Sequence, residues 1–113
     1  MLRLSKRSKA CDFSPKVRKV IRERDNGCFF CRIGYHLELA NHLDMQVMHF
    51  VSRAHGGLGI EQNGALGCAG HHDELDNGNK GLRSEMLGMM EEYLKGIYPD
   101  WSKEDLIYQK DKL

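Results

Sequence analysis

Cys28 and Cys31 stand two residues apart, and forty residues later Cys68 and His71 repeat the same gap. A two-residue gap lets both side chains of a pair converge on one ion, and zinc takes four such sulfur and nitrogen ligands in a tetrahedron. Any fold for this chain must therefore bring residue 68 back to residue 28. The sequence MLRLSKRSKACDF has no continuous apolar region of the kind a signal peptide needs, and no run approaches membrane-spanning length. No membrane association is expected, and the chain is placed in the cytoplasm. Thiols there stay reduced, so close cysteines read as metal ligands rather than disulfides. A single C-x-x-C also suits a redox dithiol, but two half-sites point to an ion. Protein fills all four positions, which makes structural zinc at Cys28, Cys31, Cys68 and His71 the expectation. Cys11 has no partner at this spacing and reads as a bystander.

With 113 residues the chain is the length of one domain with a modest core. Residues 1–24 hold nine Lys or Arg against Asp12 and Glu23, although the formal net charge is only +1. That basic leading segment suits a polyanion such as DNA, although taken by itself a solvated tail is the plainer reading. Residues 1–13 show no periodicity and are expected to be a flexible basic arm. The stretch SPKVRKVIRERDNG predicts a helix with Ser14 as N-cap, Pro15 at the first position, a Val17, Val20, Ile21 stripe and a stop at Asn26-Gly27. Its polar face holds Lys16, Arg18, Lys19, Arg22 and Arg24. MQVMHFVS at 45–52 alternates as a strand, with Val47, His49 and Val51 on one side and Met48 and Phe50 on the other. Gly56, Gly57 and Gly59 then imply a long shaped loop, followed by a short strand at 65–68. A short helix runs from about His71 to Asn77-Gly78. Two more helices are expected within 82–110. Met86, Leu87, Met90, Tyr93 and Leu94 form the core stripe of the first, and the second begins at SKEDLIYQ, where Ser102 and Asp105 have the spacing of a capping box. The fold class is α+β, with one domain over 14–113, its core at about 28–78 and the helices of 82–110 flanking it.

The stretch GCAGHHDELDNG at 67–78 holds more metal-binding capacity than packing needs. Once Cys68 and His71 are assigned, His72 and Asp76 remain. On a helix, positions i and i+4 share a face, so both can reach one cation in an open site of mixed nitrogen and oxygen ligands, suited to magnesium, manganese, nickel or zinc. For an isolated His and Asp, a solvent-facing pair is the plainer reading. The order His49, the glycines at 56–57, Asn63 and His72, framed by the zinc half-sites, resembles the HNH endonuclease family over roughly residues 16–78. That resemblance implies a ββα-metal core, two antiparallel strands and a helix around one catalytic cation. The wording HFVSRAHGGLGIEQNG, with the tail YPDWSKEDLIY, is similar to small HNH proteins of bacteriophages and prophages. From that narrower likeness come the expectations of a bacterial host cytoplasm and of the phage terminase or another packaging protein as a partner; a monomer is expected.

Carried over by position, His49 is implied to be the general base that takes a proton from the attacking water, a task neutral imidazole can perform at physiological pH. Asn63 is implied to pin the long loop and so direct His49. His72 is implied to bind the catalytic ion, with Asp76 where some members place another ligand. Arg53 and His55 could contact phosphate, as could Lys16, Lys19 and Arg22 on the first helix; His36 and His42 read as surface or loop histidines. The position before the base, where members of the family place Asp or His as a further ligand, is Met48, and a thioether is a poor ligand for a hard cation. Three outcomes are open: His72 and Asp76 hold the ion with water and DNA phosphate, Asp44 reaches in, or catalysis is impaired. The leading expectation is a single-metal endonuclease that nicks or cuts double-stranded DNA. The alternative is a zinc-stabilised DNA-binding or assembly module.

Overall fold

The computed structural model describes residues 5–110. Three helices open the chain: α1 (Lys6–Cys11), α2 (Pro15–Asp25) and the single turn α3 (Phe29–Arg32). Ser14 caps α2 by accepting from the Val17 N–H at 3.1 Å, and Asn26 ends it in the left-handed region at φ 49°, as its sequence predicts. A 3₁₀ turn at Leu37–Leu39 leads to β1 (Met45–His49), the glycine-rich loop, β2 (Gly64–Cys68), α4 (Ala69–Asn77) and α5 (Arg83–Ile97). The strands pair antiparallel from Met45 opposite Cys68 to His49 opposite Gly64. Helices and a small sheet thus make the chain α+β.

This two-stranded sheet separates two apolar clusters. On one side Met48 joins Phe29, Phe30, Leu75 of α4 and Met86, Met90 and Leu94 of α5. On the other, Val47 and Leu66 meet Phe13 and Ile21. Both faces are covered, so every residue of β2 is buried, and its composition is correspondingly small. Gly67 is needed because a Cβ there would come within 2.3 Å of the Met48 sulfur.

Three expectations are corrected. Residues 1–4 of the proposed flexible arm lie outside the described residues, but residues 6–11 are helical, with Ser5 accepting from the Ser8 N–H at 3.0 Å. Cys11 and Phe13 are 2% and 4% exposed. Burial of these two side chains anchors a segment whose basic residues gave no apolar period to read. Second, β1 ends at His49 instead of running to 52: the Phe50 N–H donates to the Asn63 carbonyl at 2.8 Å, the chain turns, and Val51 packs with Met48 in the larger cluster. Third, no helix follows α5 among the described residues. Lys103–Leu106 is a 3₁₀ turn, and Ser102 donates to Glu104 instead of capping. Beyond it the chain lies extended against the glycine loop, with Leu58 N–H to Leu106 O at 2.8 Å and Tyr108 N–H to Gly56 O at 2.7 Å. The loop's backbone groups need partners, and this segment supplies them.

Candidate metal centre and adjoining cleft

Cys28 immediately precedes α3, Cys31 lies within it, Cys68 ends β2 and His71 sits in the first turn of α4. One ligand atom from each lies within 4.8 Å of the others, so sheet pairing closes the gap of forty residues. Cys31 Sγ is 3.9 Å from Cys68 Sγ, and His71 Nδ1 is 3.7, 3.6 and 3.3 Å from the sulfurs of Cys28, Cys31 and Cys68. Sulfurs about 2.3 Å from a tetrahedral centre stand about 3.8 Å apart, so the cage is the right size for an ion. The His71 Nε2–H donates to the Tyr35 carbonyl at 2.8 Å, which leaves Nδ1 bare toward the sulfurs. These four residues form a group able to hold a metal.

Electrostatics prepare one sulfur for that task. Burial works against a Cys68 thiolate, yet the backbone N–H groups of Asn41 and His71, with the His71 ring, outweigh it and bring the thiol down to about 6. Burial pushes Cys31 up to about 12, helped by the neighbouring Cys28 and Cys68 sulfurs. Metal binding therefore has to expel protons from this cage. His42, read from sequence as a surface or loop histidine, places Nε2 at 3.2 Å from Cys31 Sγ, beside the ligand set.

One residue further along α4, His72 turns away from this cage into an open cleft. His49, Arg53, His55, His72, Asp76 and Arg83 all line it. His72 and Asp76 are neighbours across one turn, Nε2 to Oδ2 3.1 Å. The other ring nitrogen of His72 lies 2.8 Å from Gln46 Oε1, and Gln46 in turn donates to Asp44. Asp44 thus acts on the cleft through Gln46 rather than reaching into it. Gln46 is a contact the sequence did not announce, although it shares a strand face with Met48. Met48 itself is fully buried in the cluster with Leu75. Among the described residues, the four around Cys68 are the one group of three or more with metal-ligand geometry. His72 and Asp76 thus offer two protein donors without a third.

His49 terminates β1 with its ring 4.2 Å from that of Phe13. Its Nε2–H donates to the Cys11 carbonyl at 2.8 Å, which leaves the Nδ1 lone pair free. Burial lowers its pKa below the ordinary histidine value, outweighing the Cys11 carbonyl, which favours the charged ring. Asn63 is fully buried and spans the loop: Oδ1 accepts from the Val51 N–H at 2.7 Å, while Nδ2 donates to Val51 O at 3.1 Å and Leu58 O at 2.8 Å. It pins the loop after His49, and its side-chain bonds go to the loop backbone.

The basic residues divide. Lys16, Lys19 and Arg22 are exposed along α2 and do not line the cleft. Arg53 does line it but is paired with Asp12. Arg24 turns inward to Asp25, the carbonyls of Glu61 and Gly64, and the Tyr98 hydroxyl. Arg18 donates to the Phe13 carbonyl at 3.0 Å. No helix of the described residues is long and apolar enough to cross a membrane. Comparison with family models, with curated proteins and with solved structures finds no match for the chain.

Proposed function

We infer that the chain is a metal-dependent endonuclease acting on double-stranded DNA, with structural zinc in its three-cysteine, one-histidine cage. One observation carries this reading: His49, its Nδ1 free and its ring held near neutrality, shares a cleft with the His72–Asp76 pair and two arginines. His72 Nε2 and the Asp76 carboxylate would hold a divalent cation, which when bound supplies charge stabilisation at the scissile phosphate and the leaving 3′ oxygen. His49 takes the proton from the attacking water through Nδ1. Asn63 keeps the loop beyond His49 in one conformation, and the Gln46 amide fixes the ring of His72. Arg83 brings positive charge to the cleft that receives the phosphodiester, and Arg53 lines it beside its partner Asp12. Contacts of that kind hold the backbone without reading bases, so sequence preference should be weak.

A second reading is favoured by Met48. Buried at the position where a third protein ligand would stand, it leaves the cation weakly held, and a zinc-stabilised DNA-binding or assembly module would tolerate that. Supercoiled plasmid separates the two. With magnesium, manganese or nickel, a nuclease produces open-circle or linear DNA, and both EDTA and His49→Ala abolish the product. A binding module gives only a gel shift.

A further inference from the structure

We propose that the segment 5–13 is the positioning element of the cleft, and that the Cys11 backbone carbonyl sets the tautomer of His49. The inference rests on the nuclease reading for its catalytic consequence, but its geometry stands apart from it. The carbonyl accepts the His49 Nε2–H at 2.8 Å, and Phe13 covers the ring at 4.2 Å. Asn63 contacts the loop backbone and leaves the ring to these two residues.

The same segment is fastened to the long loop at separate points. Gly59 donates its N–H to Ala10 O at 2.9 Å. Arg7 donates to the carbonyls of Arg53 and Ala54 at 3.3 and 3.2 Å, and Asp12 pairs with Arg53. Contact is so close that a Cβ on Gly59 would stand 2.0 Å from the Asp12 carbonyl oxygen. An imidazole whose Nε2–H is held by a fixed carbonyl presents Nδ1 as its only lone pair, which is what a general base must aim at water. Upstream residues therefore complete a site whose other members all lie between 46 and 83.

Full-length, zinc-loaded protein tests this with two charge-neutral variants. Gly59→Ala forces the segment off the loop. Phe13→Leu keeps an apolar side chain but removes the ring against His49, and it serves should Gly59→Ala fail to fold. Nitrogen-15 NMR of the His49 ring should show the Nε2–H tautomer in the parent and a mixture of tautomers in the variants. Their kcat on plasmid should drop about tenfold, because small misplacements of a catalytic group are costly, with KM and zinc content unchanged. An Nδ1–H tautomer in the parent overturns the proposal, as do variants with parental tautomer and parental kcat. A tautomer disturbed in the variants, when the parent cleaves plasmid with none of magnesium, manganese or nickel, sustains the positioning role and overturns the nuclease reading instead.

Discussion

His49 is half-buried against Phe13 and keeps its charge off at a pH where an exposed histidine would begin to gain it, because burial lowers its pKa. Below the ordinary value of about 6.5 the unfolded chain binds this proton more readily than the folded one. The stability tied to neutral His49 is thus fully present above that pH and is lost as pH falls through the folded pKa. The same sign governs activity: the basic form persists below about pH 6.5, so the acid limb of a kcat/KM profile, which reports the free protein, should lie under that value. A limb centred above pH 7 would speak against His49 as the base. His49→Ala should lower kcat by about 10²–10⁴-fold, measured as plasmid nicking at saturating metal. Asn63 predicts a loss of a different kind. Its side chain satisfies Val51 N–H, Val51 O and Leu58 O in a fully buried position. Asn63→Ala strands the two buried Val51 groups at about 1–3 kcal/mol each and frees the part-buried Leu58 carbonyl, and calorimetry should show destabilisation of about 2 kcal/mol or more.

Among the elements, α2 is tied to the sheet and to α5 through one buried carboxylate. Asp25 is fully buried; it accepts from both Nε and Nη2 of Arg24 at 2.6 and 3.0 Å, from the Leu66 N–H of β2 at 2.7 Å, and from the Tyr93 hydroxyl of α5. Replacing it with Ala leaves the Arg24 charge uncompensated, so Asp25→Ala should cost about 3–5 kcal/mol. Tyr93→Phe removes one bond to a charged group and should cost about 1.5–3 kcal/mol in the same melting experiment. Sequence made α2 legible through its cap and stop, since those signals are local, but hid that Arg24 faces inward. Its partners, Glu61, Gly64 and Tyr98, lie 37 to 74 residues away. The metal cage was legible because C-x-x-C and C-x-x-H each converge within one turn. α1 was not, because its order comes from the burial of Cys11 and of Phe13, the latter against Val47 and Leu66 of distant strands, rather than from its own period. The helix expected after Ser102 failed for a related reason: a good local cap lost to the unpaired backbone of the glycine loop. Gln46 escaped notice since only the approach of α4 gives its amide a role.

Over the whole molecule, the sheet divides the buried apolar residues into one larger cluster and one of only Phe13, Ile21, Val47 and Leu66. The cage joins three elements: α3, the end of β2 and the start of α4 meet at one point. Zinc bound by such ligands contributes roughly 10–16 kcal/mol, which matches or exceeds the total stability of about 5–15 kcal/mol usual for a domain. Losing one ligand should therefore be felt everywhere, including at His49, which shares β1 and its pairing with the strand that ends in Cys68. Cys28→Ser, or a strong chelator acting on the parent, is expected to abolish the cooperative melting transition. His72→Ala, one residue from the cage but facing the cleft, should leave the melting temperature within about 3 °C of the parent, the range of an ordinary surface change, while removing metal-dependent cleavage. Scanning calorimetry with zinc quantified in each sample checks both. Equal melting losses for the two variants would mean that His71 and His72 serve one centre, and the division of α4 between a closed cage and an open cleft would have to be abandoned.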